Sequence, residues 1–178
     1  MVTAPIFKPA ITMEFATLTR TLQVESLTTE FATTRKVILA VPDDKRAYRP
    51  DLRAKTAWEL AWHLAVTDVW FLKGIADLKF DGNEDEAAFA AKHEPRNIAE
   101  IAAWHERETH LALDRVNKMS GRDLLTPVPF FHLNLPAFAY LKLCQNHGIH
   151  HRGQLSTYLR PMGSKVPSIY GPSADEPI

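Results

Sequence analysis

The feature that most constrains the fold is a long stretch of chain without a helix breaker. From Glu14 to about Ala40 the sequence contains neither Gly nor Pro, and its apolar residues recur at three-, four- and seven-residue steps, which is typical of an α-helix. The apolar stripe changes phase after Leu22, so it does not describe one straight amphipathic rod. Because Pro42 follows, we predict one long helix that ends near Ala40.

Three further segments have the same helical period. Thr56 is a good N-cap residue, and Glu59 follows it three residues later in capping-box spacing. Gly121 is a fitting C-terminal stop for a third helix, and Pro136 can open a fourth. The predicted helices are therefore approximately 14–40, 56–78, 97–120 and 136–160.

These segments predict an all-α protein, a four-helix bundle with long connections, because no convincing strand alternation is present. One helical turn is expected around residues 87–91 within the longest connection. After Pro161 we expect an extended C-terminal tail that is ordered by packing Ile169 or Tyr170 on the bundle. The length of 178 residues and the lack of an internal repeat predict a single domain over residues 1–178.

Charge and cysteine content exclude several classes of protein. Lys plus Arg and Asp plus Glu each total 21, so no net field would attract nucleic acid or an anionic membrane. Charge or Pro interrupts every apolar run well before the roughly 20 residues that a membrane span needs. The single cysteine, Cys144, cannot form an internal disulfide, and no secretion signal is evident. We expect a cytoplasmic protein.

Two histidines are the main functional signal. His147 and His151 are four residues apart on the core-facing stripe of the fourth predicted helix. At this spacing Cβ atoms lie about 5–6 Å apart, so both imidazoles can bind one transition-metal ion. A buried imidazole otherwise needs hydrogen-bond partners that an apolar bundle rarely offers. On spacing alone, a metal site and a pair of hydrogen-bonded core histidines explain the pattern equally well.

A metal site needs a third ligand from elsewhere in the fold. His63 is the best candidate and His105 is the alternative, since both lie on or beside the inner face of a predicted helix. His150 is three residues from His147 and is another possible partner for it. Cys144 shares the same face and is either a fourth ligand or, more simply, a small core residue. Other polar groups that either support the site or belong to caps and surface are Thr56, Glu59, Asp68, Arg152 and Gln154.

Other catalytic motifs fail on spacing. His105 and His110 lie in a segment like the zinc-protease motif, but a five-residue separation turns them about 140° apart on a helix. No histidine has Glu three residues before it, as a di-iron carboxylate bundle would require. No phosphate loop, nucleophile elbow or Cys-x-x-Cys pair is present.

Three segments resemble one family, the DinB/YfiT-like metal-dependent proteins. The run from His147 to Gly163, with the pattern His-x-x-x-His-Arg-Gly-Gln, resembles the last helix of that family. The segment 56–65 resembles the one that supplies its first histidine ligand, and Val166 to Gly171 resembles its tail.

The resemblance implies an up-down-down-up bundle with a three-histidine site at His63, His147 and His151. It implies one divalent transition metal, Ni or Zn, with water, Cys144 or Gln154 as candidates for the remaining position. A homodimer, a small-molecule substrate and a low-molecular-weight thiol are also expected.

The leading functional hypothesis is a metal-dependent thiol S-transferase or hydrolase. The alternative is a non-catalytic metal-binding protein with a stress-response or interaction role. A third hypothesis is a metal-free bundle that binds a small apolar ligand.

Overall fold

The structure, a computed structural model, describes residues 11–80, 93 and 95–177. The helical turn expected around residues 87–91 lies outside this part of the chain. Two short 3₁₀ turns, Asp43–Lys45 and Arg160–Met162, are also present. The main elements are α1 (Met13–Leu39), α2 (Ala57–Ala76), α3 (Ile98–Asn117), α4 (Gly121–Leu125), β1 (Pro127–Phe130), β2 (Leu133–Pro136) and α5 (Ala139–Leu159).

The four long helices form a bundle, as predicted. Helices α1 and α2 each pack against both α3 and α5, so α1 and α2 lie on opposite sides of the bundle. The long connection between α1 and α2 permits this diagonal placement. Within the described residues no helix is long and apolar enough to cross a membrane.

Helix α2 begins where its capping box predicts. The Thr56 hydroxyl accepts a hydrogen bond from the Glu59 backbone N–H at 3.1 Å, and the Glu59 carboxylate accepts one from the Thr56 N–H at 2.7 Å. These bonds satisfy backbone donors that the first helical turn leaves without partners. Thr56 and Glu59 therefore cap α2.

The helix ends around α4 differ from the prediction. Helix α3 stops at Asn117, and Gly121 does not end it but is the first residue of α4. A second capping box, made by Ser120 and Asp123, starts that short helix. A local cap thus outweighs the tendency of Gly121 to act as a stop.

A β-hairpin occupies the segment before α5, where the sequence showed no convincing strand alternation. Pro136 does not open α5, because it pairs with Pro127 at the base of the antiparallel hairpin. The Tyr140 hydroxyl of α5 donates to the Val128 carbonyl at 2.7 Å and accepts from the Leu135 N–H at 3.2 Å. These tertiary bonds stabilise a pair of strands that is marginal by itself.

The turn of this hairpin is unusual. Phe131 has a φ of 49° and its residue surface is 89% exposed. A bulky residue at positive φ costs about 1–3 kcal/mol, and such turns normally carry Gly or Asn. The exposed Phe131 ring recovers little of this cost by burial.

The phase change in α1 separates two faces of the helix. Leu27, Phe31 and Ile38 are buried in the bundle. Phe15, Leu18 and Leu22 lie in the other phase and are more than half exposed. The second half of α1 therefore packs in the core, whereas an apolar stripe on the first half faces outward.

Buried polar residues lie between the two largest apolar clusters of the core. One cluster contains Leu64, Leu155 and their neighbours, and the other contains Phe71, Tyr140 and theirs. Buried polar groups are costly unless they are hydrogen-bonded. This polar layer consists of the buried residues Thr34, Asp68, His105, Thr109, Gln145 and Arg152.

Arg152 joins this polar layer to the C-terminal tail. Its guanidinium forms an ion pair with Glu30 at 2.7 Å and donates to the Tyr170 hydroxyl. That hydroxyl in turn donates to the Glu30 carboxylate at 2.9 Å. Ile169 packs against the core near the same point. The tail is thus held by the Ile169 side chain and the Tyr170 hydroxyl.

Candidate metal centre

Three imidazoles meet between α2 and α5. One ring nitrogen each of His63, His147 and His151 lies within 4.8 Å of the others. The ring centroids are 5.2 Å apart for His63 and His147, 4.5 Å for His63 and His151, and 4.4 Å for His147 and His151. All three residues are half-buried. Within the described residues, this is the one group of metal-binding side chains close enough to hold an ion.

Helix α2 supplies His63 and also orients His147. The Thr67 hydroxyl, one turn after His63, donates to the His63 backbone carbonyl at 2.7 Å. Its lone pairs then face Nδ1 of His147 at 3.4 Å. Because the hydroxyl proton is already committed, Nδ1 of His147 is the donor in this contact. In this tautomer the lone pair that a metal ion requires is on Nε2 of His147.

Gln154 orients His151 in the same manner. Its side-chain oxygen lies 2.7 Å from Nδ1 of His151, one turn away on α5. An amide oxygen only accepts hydrogen bonds, so Nδ1 donates and Nε2 carries the lone pair. Burial lowers the pKa of His151, which favours the neutral ring that a metal requires.

Gly148 sets the distance between the two helices below the cluster. A Cβ at this position would lie 3.1 Å from Oδ1 of Asp68. That approach is tighter than an ordinary van der Waals contact, so glycine allows the Asp68 carboxylate to lie against the turn that separates His147 from His151. The α2–α5 spacing that brings the three histidines together therefore depends on a position without a side chain.

His105, the alternative third ligand, contacts Asp68 in the core instead of joining the histidine cluster. It is fully buried, and its Nε2 lies 3.0 Å from Oδ2 of Asp68. Its ring stacks edge-on against Phe31 at 5.3 Å. His105 is thus a hydrogen-bonded core residue, whereas His63 faces the pair on α5.

Asp68, for which the sequence allowed either support of the site or a cap or surface position, lies inside the bundle. It is fully buried, and burial raises the pKa of its carboxyl while the hydrogen bond to His105 opposes that change. Its Oδ1 has no hydrogen-bond donor in the described part of the chain. Asp68 lies four residues from both Leu64 and Leu72, and this spacing is the signal that could have placed it inside.

Two other candidates lie outside the cluster. The Cys144 thiol is fully buried 4.0 Å from the Asp68 carbonyl, and burial raises the pKa of the thiol well above its usual value. A thiol with that pKa is a poor nucleophile at neutral pH. His150 is exposed, and its ring centroid lies 4.8 Å from that of His151.

Comparison with known proteins identifies the family. The model of the DinB family matches residues 15–177. The chain belongs to the DinB family. It is 24% identical over 143 residues to the uncharacterized protein YrdA of Bacillus subtilis, a match that covers 80% of this chain and 83% of YrdA.

Two solved DinB-like structures have the same fold as this DinB chain. A DinB-like protein from Bacillus cereus is 26% identical, with a TM-score of 0.69 over 83% of this chain and 95% of that one. The DinB-like protein YjoA of Bacillus subtilis is 19% identical, with a TM-score of 0.66 over 83% and 96%.

Proposed function

We propose that the protein binds one divalent transition-metal ion through His63, His147 and His151. The observation that carries the proposal is the convergence of three imidazole nitrogens within 4.8 Å. Two of the rings are also held with Nδ1 on an acceptor, which prepares Nε2 as a ligand. A three-nitrogen donor set suits Zn and Ni, and Zn sites of this type keep a further position for water or substrate.

We further propose that the centre is catalytic, as a thiol S-transferase or a hydrolase acting on a small molecule. A divalent ion bound by three neutral imidazoles lowers the pKa of a coordinated thiol or water and so supplies a nucleophile near neutral pH. The residues of the chain hold the rings in place, through Thr67 for His147 and Gln154 for His151. The half-burial of the histidines supports access by a low-molecular-weight thiol. The single cysteine favours action in the cytoplasm.

Elemental analysis of protein purified without a His tag tests the metal site. We expect about one equivalent of metal in the parent protein and a large loss in His63→Ala, His147→Ala and His151→Ala. His150→Ala and His110→Ala are matched controls that should retain metal, because both side chains are exposed and lie outside the cluster. Equal, substoichiometric metal in all six proteins would contradict the proposal.

A panel of cellular thiols and esters tests catalysis. Turnover of a thiol with 1-chloro-2,4-dinitrobenzene, or of an ester, should be lost in His63→Ala and kept in His150→Ala. Tight metal binding without turnover would instead favour the non-catalytic metal-binding role.

We also propose that the protein forms a homodimer through the outward face of α1. The large apolar residues on this face, Phe15, Leu18 and Leu22, are between 54 and 60% exposed. They follow a three-four spacing, which forms a straight stripe on a helix. Such a stripe is self-complementary in an antiparallel, two-fold pairing, in which Phe15 faces Leu22 of the partner subunit.

Sedimentation equilibrium tests this surface. Leu18→Glu should dissociate the dimer, whereas Leu111→Glu, a change at a residue on α3 that is 54% exposed, should leave it intact. A parent protein that stays monomeric at high concentration would contradict the homodimer.

A further inference from the structure

The core of the bundle contains a carboxylate whose charge the packing does not explain. Among the described residues, Asp68 is the only acidic residue of the buried class, and its exposure is zero. Its Oδ2 lies 3.0 Å from Nε2 of His105, but its Oδ1 has no hydrogen-bond donor in the described part of the chain. A buried carboxylate that is not fully paired is costly. Asparagine would fit the same space and keep the contact with His105 without that cost, so the charge itself needs a reason.

The helices packed around Asp68 do not neutralise it. Helix α3 contributes His105, which makes the one hydrogen bond to the carboxylate within the described residues. Helix α5 contributes Arg152, but its guanidinium already pairs with Glu30 of α1 at 2.7 Å. Cys144 and Glu30 line the same small cavity as Asp68 and carry no positive charge. The negative charge of Asp68 is therefore left without a cation of its own.

This carboxylate lies behind the histidine cluster. Oδ1 of Asp68 is 3.1 Å from the place that a Cβ on Gly148 would take, so it lies against the turn of α5 between His147 and His151. On α2 it follows His63 by five residues, which is about 7.5 Å along the helix axis. An ion at the cluster would thus be about 10 Å from the carboxylate, roughly the width of one helix. Because Asp68 is fully buried, little water screens its field.

The ligands themselves bring no negative charge to the ion. Three neutral imidazoles leave a divalent metal with its full charge. Burial lowers the pKa of His151, and the nearby bases His63, His150 and Lys55 lower it further. The side of the cluster that faces these bases is therefore unfavourable for a cation. Asp68, on the inner side, is placed to offset that effect.

We propose that Asp68 is the counter-ion of the metal centre and makes the centre selective for divalent over monovalent ions. This inference rests on the proposed metal site. The attraction between the carboxylate and the ion is proportional to the charge of the ion, so in free energy it is twice as large for a divalent ion. At about 10 Å, and with an effective dielectric constant of about 25–45, this attraction strengthens divalent binding about 10- to 100-fold and monovalent binding about 3- to 10-fold.

Two metal affinities of Asp68→Asn, measured at one pH and one ionic strength, test the proposal. Zn(II) is titrated in competition with a chromophoric chelator. Cu(I), which also accepts imidazole ligands, is titrated anaerobically in competition with bicinchoninate. We expect the variant to lose about 10- to 100-fold in Zn(II) affinity and only the square root of that factor in Cu(I) affinity. Asp68→Leu removes the same charge without placing an amide in the core, so it supplies the measurement if Asp68→Asn does not fold.

His105→Gln and Asp114→Asn are the matched controls. Glutamine still donates to Asp68, so this change disturbs the buried pair without removing the charge. Asp114→Asn removes a carboxylate from the exposed surface of α3, where water and salt screen it. Both variants should bind Zn(II) within about threefold of the parent.

The outcomes separate a role of charge from a role in packing. An unchanged Zn(II) affinity in Asp68→Asn overturns the proposal. An equal loss for Zn(II) and Cu(I) also overturns it, because distorted ligand geometry weakens both ions whereas a lost charge weakens the divalent ion more. A parent protein that binds neither ion overturns the proposed metal site instead.

Discussion

The contact between Gln154 and His151 allows a quantitative test of the metal centre. The change is Gln154→Leu, which removes the acceptor 2.7 Å from Nδ1 of His151. Loss of a hydrogen bond that orients a ligand typically weakens metal binding 10- to 100-fold. Gln154 is exposed, so water replaces part of the bond. We therefore expect the lower end of that range, about tenfold, or about 1.4 kcal/mol.

Thermal unfolding with saturating Zn and with chelator measures this difference. A loss of 1.4 kcal/mol lowers the metal-induced rise in Tm by about 3–6 °C, since 1 kcal/mol corresponds to about 2–4 °C in a chain of this size. The chelated proteins should agree within about 0.5 kcal/mol, because an exposed side chain contributes little to the fold.

Gln154→Glu is the matched control for the same contact. Its carboxylate still accepts from Nδ1, and charge-assisted bonds are stronger than neutral ones. Zn affinity should therefore be maintained or increased. Our account of His151 is refuted if Gln154→Leu keeps the Zn affinity of the parent, or if Gln154→Glu weakens it equally.

Three further predictions concern the buried groups around the cluster. In the chelated protein, the free energy of unfolding of Asp68→Asn should rise relative to that of the parent as the pH rises from about 4 to 7. The reason is that burial raises the pKa of the Asp68 carboxyl in the folded parent, so its ionisation destabilises the fold. A difference in urea unfolding that does not depend on pH would contradict this. Arg152→Met leaves the Glu30 carboxylate without its ion pair and should cost about 3–5 kcal/mol in urea unfolding, so a change below 1 kcal/mol would refute the role of that pair. Gly148→Ala should change the free energy of unfolding by no more than about 1 kcal/mol, since better helix propensity offsets the close contact with Asp68. Calorimetry should nevertheless detect weaker Zn binding. Unchanged affinity would show that Gly148 does not determine the spacing of the three histidines.

Helix periods and histidine spacing were sufficient to predict the bundle and to nominate His63, His147 and His151. The capping box at Thr56 also located the start of α2 to within one residue. These signals are local, because each depends on residues within one or two helical turns.

Features that depend on tertiary contacts were not predictable in this way. The hairpin lacks the usual Asn-Gly turn and is held by the Tyr140 hydroxyl, a bond that no local pattern reveals. His63 and His105 were both candidates for the third ligand, and only the packing of α2 against α5 distinguishes them. The burial of Asp68 was not predicted because a carboxylate at a core position contradicts the apolar period, although its spacing from Leu64 and Leu72 fits that period.

The two ends of the Arg152 network are far apart in the order of synthesis. Glu30 is made early, whereas Arg152 and Tyr170 follow more than a hundred residues later, and His147 and His151 belong to the same late segment. A nascent chain that has not reached residue 147 therefore has one histidine of the cluster and lacks Arg152, the partner of Glu30. Completion of the proposed metal site and closure of the tail both wait for the end of synthesis, so a ribosome-bound chain stalled before residue 147 should neither bind Zn nor protect α1 from proteolysis.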